Sequence, residues 1–419
     1  MASEGLVVGL DIGTTKICAV IGERNENGKL EITGVGVSPS TGLRKGVVVN
    51  IEATLRSVSS AIENAEMMSG REVKNCWVGI GGSHIDGLNS RGVVAITGRN
   101  RENREIVQED IDRVLEAARA VVIPMDRQVL EVIPQSFTVD DQKGVRHPLD
   151  IMGVRLEAEV HIITCGVTGA QNLVKCVNRA GFRANGLVLQ SLAAGTSVLT
   201  EEEKELGVAL IDLGGGTTDV MVYSQGTPFS TTTIPVGGAQ VTSDLSIMNN
   251  LSFETAERIK LETGCCWESV LDGDDDIIVP GVGGRAPQPI PKSQIMNVIR
   301  PRMEEIFLMI KEKLDHLALS RPLGAGIVLT GGGSHLLGVA ELASHMFRLP
   351  VRIGTPLSVG GLDADYQTPE YATAVGLMLE GALRDGVKIS DHGNEKMLRE
   401  KNQVPLFGKL AEWLKKEFF

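Results

Sequence analysis

Two short stretches of this chain combine carboxylates, glycines and hydroxyls in an order suited to holding phosphate, and a third is a glycine cluster. In residues 208–224 an apolar run reaches Asp212, turns through Gly214, Gly215, Gly216, Thr217 and Thr218, and leaves through Asp219 into a second apolar run. Glycine lets backbone N–H groups come close to a ligand and adopt positive φ. Successive N–H groups in such a turn form an anion-binding concavity. The threonines add hydroxyl donors, and Asp212 and Asp219 are hard oxygen groups suited to a hydrated Mg²⁺. The order recurs at residues 6–17, through Asp11, Gly13, Thr14, Thr15 and Lys16. A third cluster, Gly331, Gly332 and Gly333, follows the apolar run 326–330. One glycine triplet is equally a tight hairpin with a bulge. Three such loops are a specific signal, and two similar halves facing one another would place a ligand between them. No G-x-x-x-x-G-K-[ST] sequence is present, which excludes a Walker-type loop.

The elements that must carry these loops follow from periodicity. Strands are expected at 6–10, 17–21 and 30–37, and at 73–80, with the turn signals Asn27-Gly28 and Gln225-Gly226 closing the two hairpins. Apolar residues at three- and four-residue steps predict helices at 51–68, 104–121, 169–180, 242–248, 255–263, 336–347 and 368–383. Pro301 suits a first-turn position, so the helix carrying Met303, Ile306, Phe307, Ile310 and Leu314 is expected to begin near it. Residues 84–161 hold no phosphate motif and read as an inserted α+β unit, with a short strand at 93–97, an extended run at 128–139 and a loop at 148–154. A strand at 159–165 follows. Residues 272–276 read as an acidic turn and 280–291 as a Pro/Gly loop.

At 419 residues the chain suits two to four compact units. A net charge of −12 argues against nucleic acid as the main partner, because phosphate backbones demand clustered Lys and Arg. The six cysteines form no C-x-x-C pair, so most are expected as small buried hydrophobes in a reducing cytoplasm, with vicinal Cys265-Cys266 as a lesser redox or metal alternative. No signal peptide is expected at the start, and no apolar run approaches the ~20 residues that span a bilayer.

Residues 385–404 are polar and aperiodic and read as a flexible linker. Beyond them, Leu406, Phe407, Leu410, Trp413, Leu414 and Phe418 form one apolar stripe, with Lys409, Glu412, Lys415 and Lys416 off its centre. Such a helix of about 14 residues is roughly 21 Å long. It can lie in a membrane interface and cannot cross. The bland alternative is docking on the protein's own core or a partner.

Asp11 to Lys16, Asp212 to Asp219 and Thr330 to Gly333 resemble the two phosphate motifs and the adenosine motif of the actin/Hsp70/sugar-kinase ATPase superfamily. Within it, the chain is similar to the FtsA family of bacterial cell-division proteins. That likeness rests on Gly42-Leu-Arg-Lys-Gly46, Trp77-Val-Gly-Ile-Gly-Gly-Ser-His84, the run 325–332 and the terminal Trp413-Leu-Lys-Lys-Glu-Phe418. The resemblance implies an α/β, actin-like duplicated fold: two lobes around a nucleotide cleft, an inserted small α+β domain and a C-terminal amphipathic helix. The expected division is 1–83 with 162–198 and 367–384 as the first core subdomain, 84–161 as the insert, 199–233 with 301–366 as the second core subdomain, 234–300 as a small subdomain, 385–404 as linker and 405–419 as membrane-targeting helix.

It further implies ATP and Mg²⁺ as cofactors. Asp11 and Asp212 would hold the metal. Gly13, Thr14, Thr15 and Lys16 would grip the phosphates from one side and Gly214, Gly215, Gly216 and Thr217 from the other. Asp219 would stand near the attacking water or the metal, Gly331, Gly332 and Gly333 beside adenosine, and Glu257 and Lys260 at ribose and adenine. For those last two an exposed (i, i+3) pair is the plain alternative. Gln190 occupies the position where relatives often carry a catalytic glutamate. An amide takes no proton near neutral pH, so slow turnover at most is expected. The implied role is a polymerising scaffold at the cytoplasmic face of the membrane. It would tether FtsZ through the FtsZ tail at 234–300 and recruit later division proteins. A small-molecule kinase of the same superfamily is the alternative, and no convincing base for an acceptor hydroxyl stands outside the phosphate loops. An Hsp70-like chaperone would need a peptide-binding β domain that does not follow.

Overall fold

The computed structural model describes residues 5–386 apart from 26–27, 97–103, 272, 281–285, 319–321, 358 and 362. The expected linker beyond 386 and the apolar stripe of 405–419 lie outside the described residues.

The chain opens with β1 (Leu6–Ile12), β2 (Lys16–Arg24) and β3 (Leu30–Pro39), then α1 (Ile51–Ser69) and β4 (Asn75–Ile80). Asn50 caps α1 by accepting from the Ala53 N–H, and left-handed Gly70 ends it. The next unit is β5 (Ile85–Ala95), α2 (Gln108–Arg119), β6 (Arg127–Val139), β7 (Gln142–Val145) and β8 (Arg155–Gly166). After α3 (Val167–Arg179), β9 (Arg183–Leu189), α4 (Gln190–Val198) and α5 (Glu201–Leu206), a second hairpin forms from β10 (Val208–Leu213), β11 (Thr218–Ser224) and β12 (Thr227–Ile234). Helices α6 (Gly238–Met248) and α7 (Phe253–Thr263), the ribbon β13 (Asp276–Val279) with β14 (Gln288–Pro291), α8 (Lys292–Ala318), β15 (Gly326–Thr330), α9 (Val339–Phe347), β16 (Val351–Ile353) and α10 (Ala372–Arg384) complete it.

The two large sheets repeat one topology. The first runs β9-β4-β1-β2-β3 and the second β16-β15-β10-β11-β12. In each, a hairpin's first strand is antiparallel to its second and parallel to a later strand. Register places Asp11 opposite Cys18 and Asp212 opposite Asp219. Helices cover both faces, so β1 and β10 read as continuous apolar runs rather than alternating ones. Each fully buried Leu, Ile or Phe contributes about 1.5–3 kcal/mol. At the end of the second hairpin Gln225 (φ 52°) and Gly226 (φ 81°) form the mirror-image turn that matches strand twist.

Four expectations are corrected. The helix expected near Pro301 begins at Lys292 and runs unbroken through that proline. Ile295, Met296 and Ile299 are buried on one side of it and Met303, Ile306 and Phe307 on the other, so apolar packing holds the helix across the missing N–H. Asp274 caps its start, accepting from the Ser293 N–H at 2.8 Å. The helix expected from 104 begins at Gln108 because the Asp110 carboxylate takes the Val107 N–H at 3.1 Å, while Arg104–Glu105 pairs as a strand with Met152–Gly153 inside the expected loop 148–154. The strands expected at 93–97 and 159–165 are the ends of the longer β5 and β8, which pair along their whole length. The loop expected at 280–291 ends in β14, paired with β13.

All six cysteines are free and buried. No helix among the described residues is long and apolar enough to cross a membrane.

Helix α10 lies directly on α4. A Cβ added to Gly376 would come within 1.8 Å of the Ala193 carbonyl oxygen. Gly376→Ala should therefore cost about 3 kcal/mol, as severe overpacking does. Urea unfolding checks this, and an unchanged midpoint would contradict so close a contact.

Candidate nucleotide site

The two hairpin turns project from their sheets at one place and touch. A Cβ on Gly215 would stand 2.4 Å from the Thr15 side chain, and one on Gly216 2.6 Å from the Thr14 hydroxyl. Only glycine lets the loops come this close. Each turn closes alike: the Gly13 N–H donates to the Lys16 carbonyl at 3.0 Å, and Gly214 stands against the Thr217 carbonyl. Thr14 is fixed by the Gly46 N–H, which donates to its hydroxyl at 3.2 Å. Gly46 in turn packs on Gly81 and Gly82, so the two glycine motifs near residues 42–46 and 77–84 meet behind the first loop.

The second loop is held by the start of α6. The Gly238 and Ala239 N–H groups donate to the Gly214 and Gly215 carbonyls at 2.9 and 2.8 Å. From α7, Lys260 reaches the same helix start, donating to the Thr242 hydroxyl at 3.0 Å and the Gly238 carbonyl at 3.3 Å, and pairs with Glu257 at 2.7 Å. Glu257 also accepts from Thr242. The third loop joins through Gly331, whose missing Cβ would lie 2.1 Å from Asp212 Oδ1 and whose N–H donates to the Pro369 carbonyl at 3.1 Å. Gly332 and Gly333 open the short helical turn beyond it.

The acids sit in the floor. Gln190, the first residue of α4, donates through Nε2 to Asp11 Oδ1 at 2.6 Å. Thr373 of α10 donates to Asp212 Oδ2 at 2.9 Å. Asp219 accepts from Thr217 at 3.1 Å and from Thr233. Lys16 Nζ pairs with Glu370 Oε2 at 2.9 Å and lies 4.0 Å from the centre of the Tyr371 ring. Burial, then the nearby Asp212 charge, pushes Asp11 up to about 7. Burial, opposed by the Thr233 hydrogen bond, lifts Asp219 to about 6. Burial also raises Asp212.

The residues expected at the phosphate, metal and adenosine positions thus lie together where the three loops meet, with Glu257 and Lys260 joined to them through α6. Sequence reasoning missed four contributors. Thr233 stands opposite Asp219 in the sheet register, within the run Thr231-Thr232-Thr233. Thr373 is the lone hydroxyl of α10, but that helix also carries Glu380 and Arg384, so it gave no distinct signal. Glu370 and Tyr371 precede that helix and gave none.

Two neighbouring acids, both raised by burial and Asp11 further by the Asp212 charge, fit a divalent cation. Among the described residues no group of three His, Cys, Asp or Glu could hold a metal by itself.

Duplicated sheets, facing hairpin turns and an inserted α+β unit define an actin-like fold. Among solved structures it is similar to the PilM-PilN type IV pilus biogenesis complex, with a TM-score of 0.63 at 17% identity, covering 90% of this chain and 98% of that one. It is also similar to MreB5 of Spiroplasma citri bound to ADP, with a TM-score of 0.53 at 14% identity, covering 96% and 99%. The family model described as cell division protein FtsA matches residues 209–376, and that of the SHS2 domain inserted in FtsA matches residues 82–164. The chain is 43% identical to the cell division protein FtsA of Pseudomonas aeruginosa over 99% of both chains, and 44% identical to that of Borreliella burgdorferi over 100% of both. It is 39% identical to that of Escherichia coli K12, covering 99% of this chain and 98% of that one. The chain belongs to the FtsA family of cell division proteins.

The raised acids set a pH dependence. The folded state keeps protons on Asp11 and Asp219 that the unfolded chain, with carboxylates near 3.8, releases. Stability therefore falls as pH rises from about 4 to about 7. Without divalent cation, Tm should drop across that interval, and less so in Asp11→Asn. Identical, flat profiles for the two proteins would contradict the lifted acid.

Proposed function

We propose that this cleft binds ATP with Mg²⁺ and that the protein is the membrane-tethered, polymerising scaffold that links FtsZ to the cytoplasmic face of the membrane at the division site. The observation that carries the nucleotide reading is the contact of Thr14 and Thr15 with Gly216 and Gly215, two amide-rich turns from separate sheets converging on one point. Gly13, Thr14, Thr15 and Lys16 grip the phosphates from one lobe and Gly214, Gly215, Gly216 and Thr217 from the other. Asp11 and Asp212 hold the metal, which neutralises phosphate charge. Gly331, Gly332 and Gly333 lie beside the nucleoside, with Glu257 and Lys260 at its ribose and base. That an MreB relative of the same fold is bound to ADP supports this reading.

Hydrolysis is slow, because Gln190 donates its amide to Asp11 and has no basic atom to take a proton from water. Asp219 stands nearest that role, its carboxylate steadied by two threonine hydroxyls. Residues 84–161 contact later division partners and neighbouring copies in the polymer, and 234–300 receives the FtsZ tail. Residues 405–419 lay their stripe of Leu406, Phe407, Leu410, Trp413, Leu414 and Phe418 into the lipid interface. Three lysines there are nearly balanced by acids, so apolar insertion outweighs lipid charge and binding is reversible.

Gly215→Val should drive a side chain into Thr15 and lower ATP affinity by roughly 10–100-fold, the equivalent of 1–3 kcal/mol of overpacking. Fluorescent-nucleotide titration measures it, and unaltered affinity would sink the nucleotide reading. Deleting residues 405–419 should cut co-sedimentation with liposomes at least ~10-fold, given ~1.5–3 kcal/mol per large apolar side chain before ordering costs. Equal pelleting of both proteins would refute lipid contact through this segment.

A further inference from the structure

One segment touches all three glycine-rich loops and then leaves the cleft as a single rigid element. The Pro369 carbonyl accepts from the Gly331 N–H and from the Thr330 hydroxyl, both at 3.1 Å. Glu370 holds Lys16 of the first loop, and Thr373 holds Asp212 of the second. From there α10 runs 13 residues, about 20 Å, with almost every side chain buried. At its far end Arg384 donates from Nη2 to both carboxylate oxygens of Glu131 in β6, at 2.9 and 3.0 Å. Both side chains are nearly sealed from solvent, at 11% and 7% exposure. Glu131 belongs to the inserted unit, within the residues matched by the SHS2 model. The neighbouring Asp385 accepts from Trp77 Nε1 at 3.1 Å, and Glu380 accepts from Thr196 at 2.5 Å, which fixes the helix end against the first lobe.

We propose that α10 is a connecting rod that couples nucleotide in the cleft to the position of the inserted unit, an inference that rests on the nucleotide reading above. The switch is the ammonium of Lys16. It has a carboxylate partner in Glu370, and phosphate oxygens at the same loop compete for it as a stronger anionic partner. Phosphate that draws Lys16 away loosens Glu370, and metal at Asp212 draws that acid from Thr373. Both changes bear on the same end of one helix. A helix wedged on α4 through Gly376 and pinned by a buried ion pair shifts as a body rather than bending, so the displacement reaches Glu131. Breaking one partner of a buried pair leaves an uncompensated charge, so Glu131 follows Arg384. Coupling of this kind is reciprocal: a partner that moves the inserted unit changes nucleotide affinity by the same factor.

The test is amide hydrogen exchange over residues 127–139 of the full chain, with and without Mg-ATP, beside a fluorescent-ATP titration of the same samples. In the natural protein, Mg-ATP should change protection of that strand by ~5-fold or more, the lower range of allosteric coupling. The double variant Glu131→Gln with Arg384→Met removes both charges of that pair together, and Glu380, which also faces Arg384 at 3.8 Å, keeps its hydrogen bond from Thr196. The double variant should bind ATP within about twofold of the natural protein yet lose the response in 127–139. Glu370→Gln, at the exposed end, should shrink the response and tighten ATP binding. ATP binding with no change in 127–139 of the natural protein overturns the rod alone, as does a full response in the double variant. Failure of the natural protein to bind ATP overturns the nucleotide reading and the rod with it.

Discussion

Three carboxylates, Asp11, Asp212 and Asp219, are crowded into a dry floor where the hairpins meet, and the surrounding architecture is arranged to tolerate them. Each has its own neutral donor. Gln190 comes from α4, Thr373 from α10, and Thr233 and Thr217 from the second hairpin. Lys16 contributes the nearest positive charge and is itself shared with Glu370. Acids placed so are costly when ionised and uncompensated. Two of them are lifted well above the ordinary carboxylate range, so the site has electrostatic demand that a cation satisfies.

Duplication explains how such crowding arises without strain. The two sheets share order and register, and each presents its acid at the same hairpin position. The halves are not equivalent in chemistry. Cys18 stands opposite Asp11 where the other half has Asp219 opposite Asp212, and Lys16 stands where the other half has Thr217. One lobe thus supplies a cation and a thiol, the other a hydroxyl and a second acid. The asymmetry gives direction to a site that the fold alone would make symmetric.

The hairpins were legible in the sequence because both faces of their sheets are covered, which leaves unbroken apolar runs ending at the acids. Helices with a single buried face, such as α1, were legible by period. What failed did so for local reasons. Strand β5 carries Asp86, Asn89, Ser90 and Arg91, and its exposed polar side chains conceal a strand secured by eleven paired positions with β8. Pro301 mimics a helix start, and only burial on both sides of it holds α8 together. Thr233, Thr373 and Glu370 join the site through sheet register and long-range packing, which no local pattern encodes. The three loops that converge were readable from their residues; the partners that hold the acids in place were not.

The inserted unit begins with β5 and ends with β8, and these strands pair from Ile85 with Cys165 to Ala95 with Arg155. The chain therefore enters and leaves it side by side, as through one doorway. Such a cassette can be exchanged between lineages without rethreading the sheet behind it. Any replacement, though, must still offer a buried acid to Arg384 and a polar face to β12, where His161 now meets Thr231 at 3.0 Å. These seams, together with the Arg146–Glu205 pair at 2.6 Å, set the terms on which new binding surfaces can be grafted onto the core.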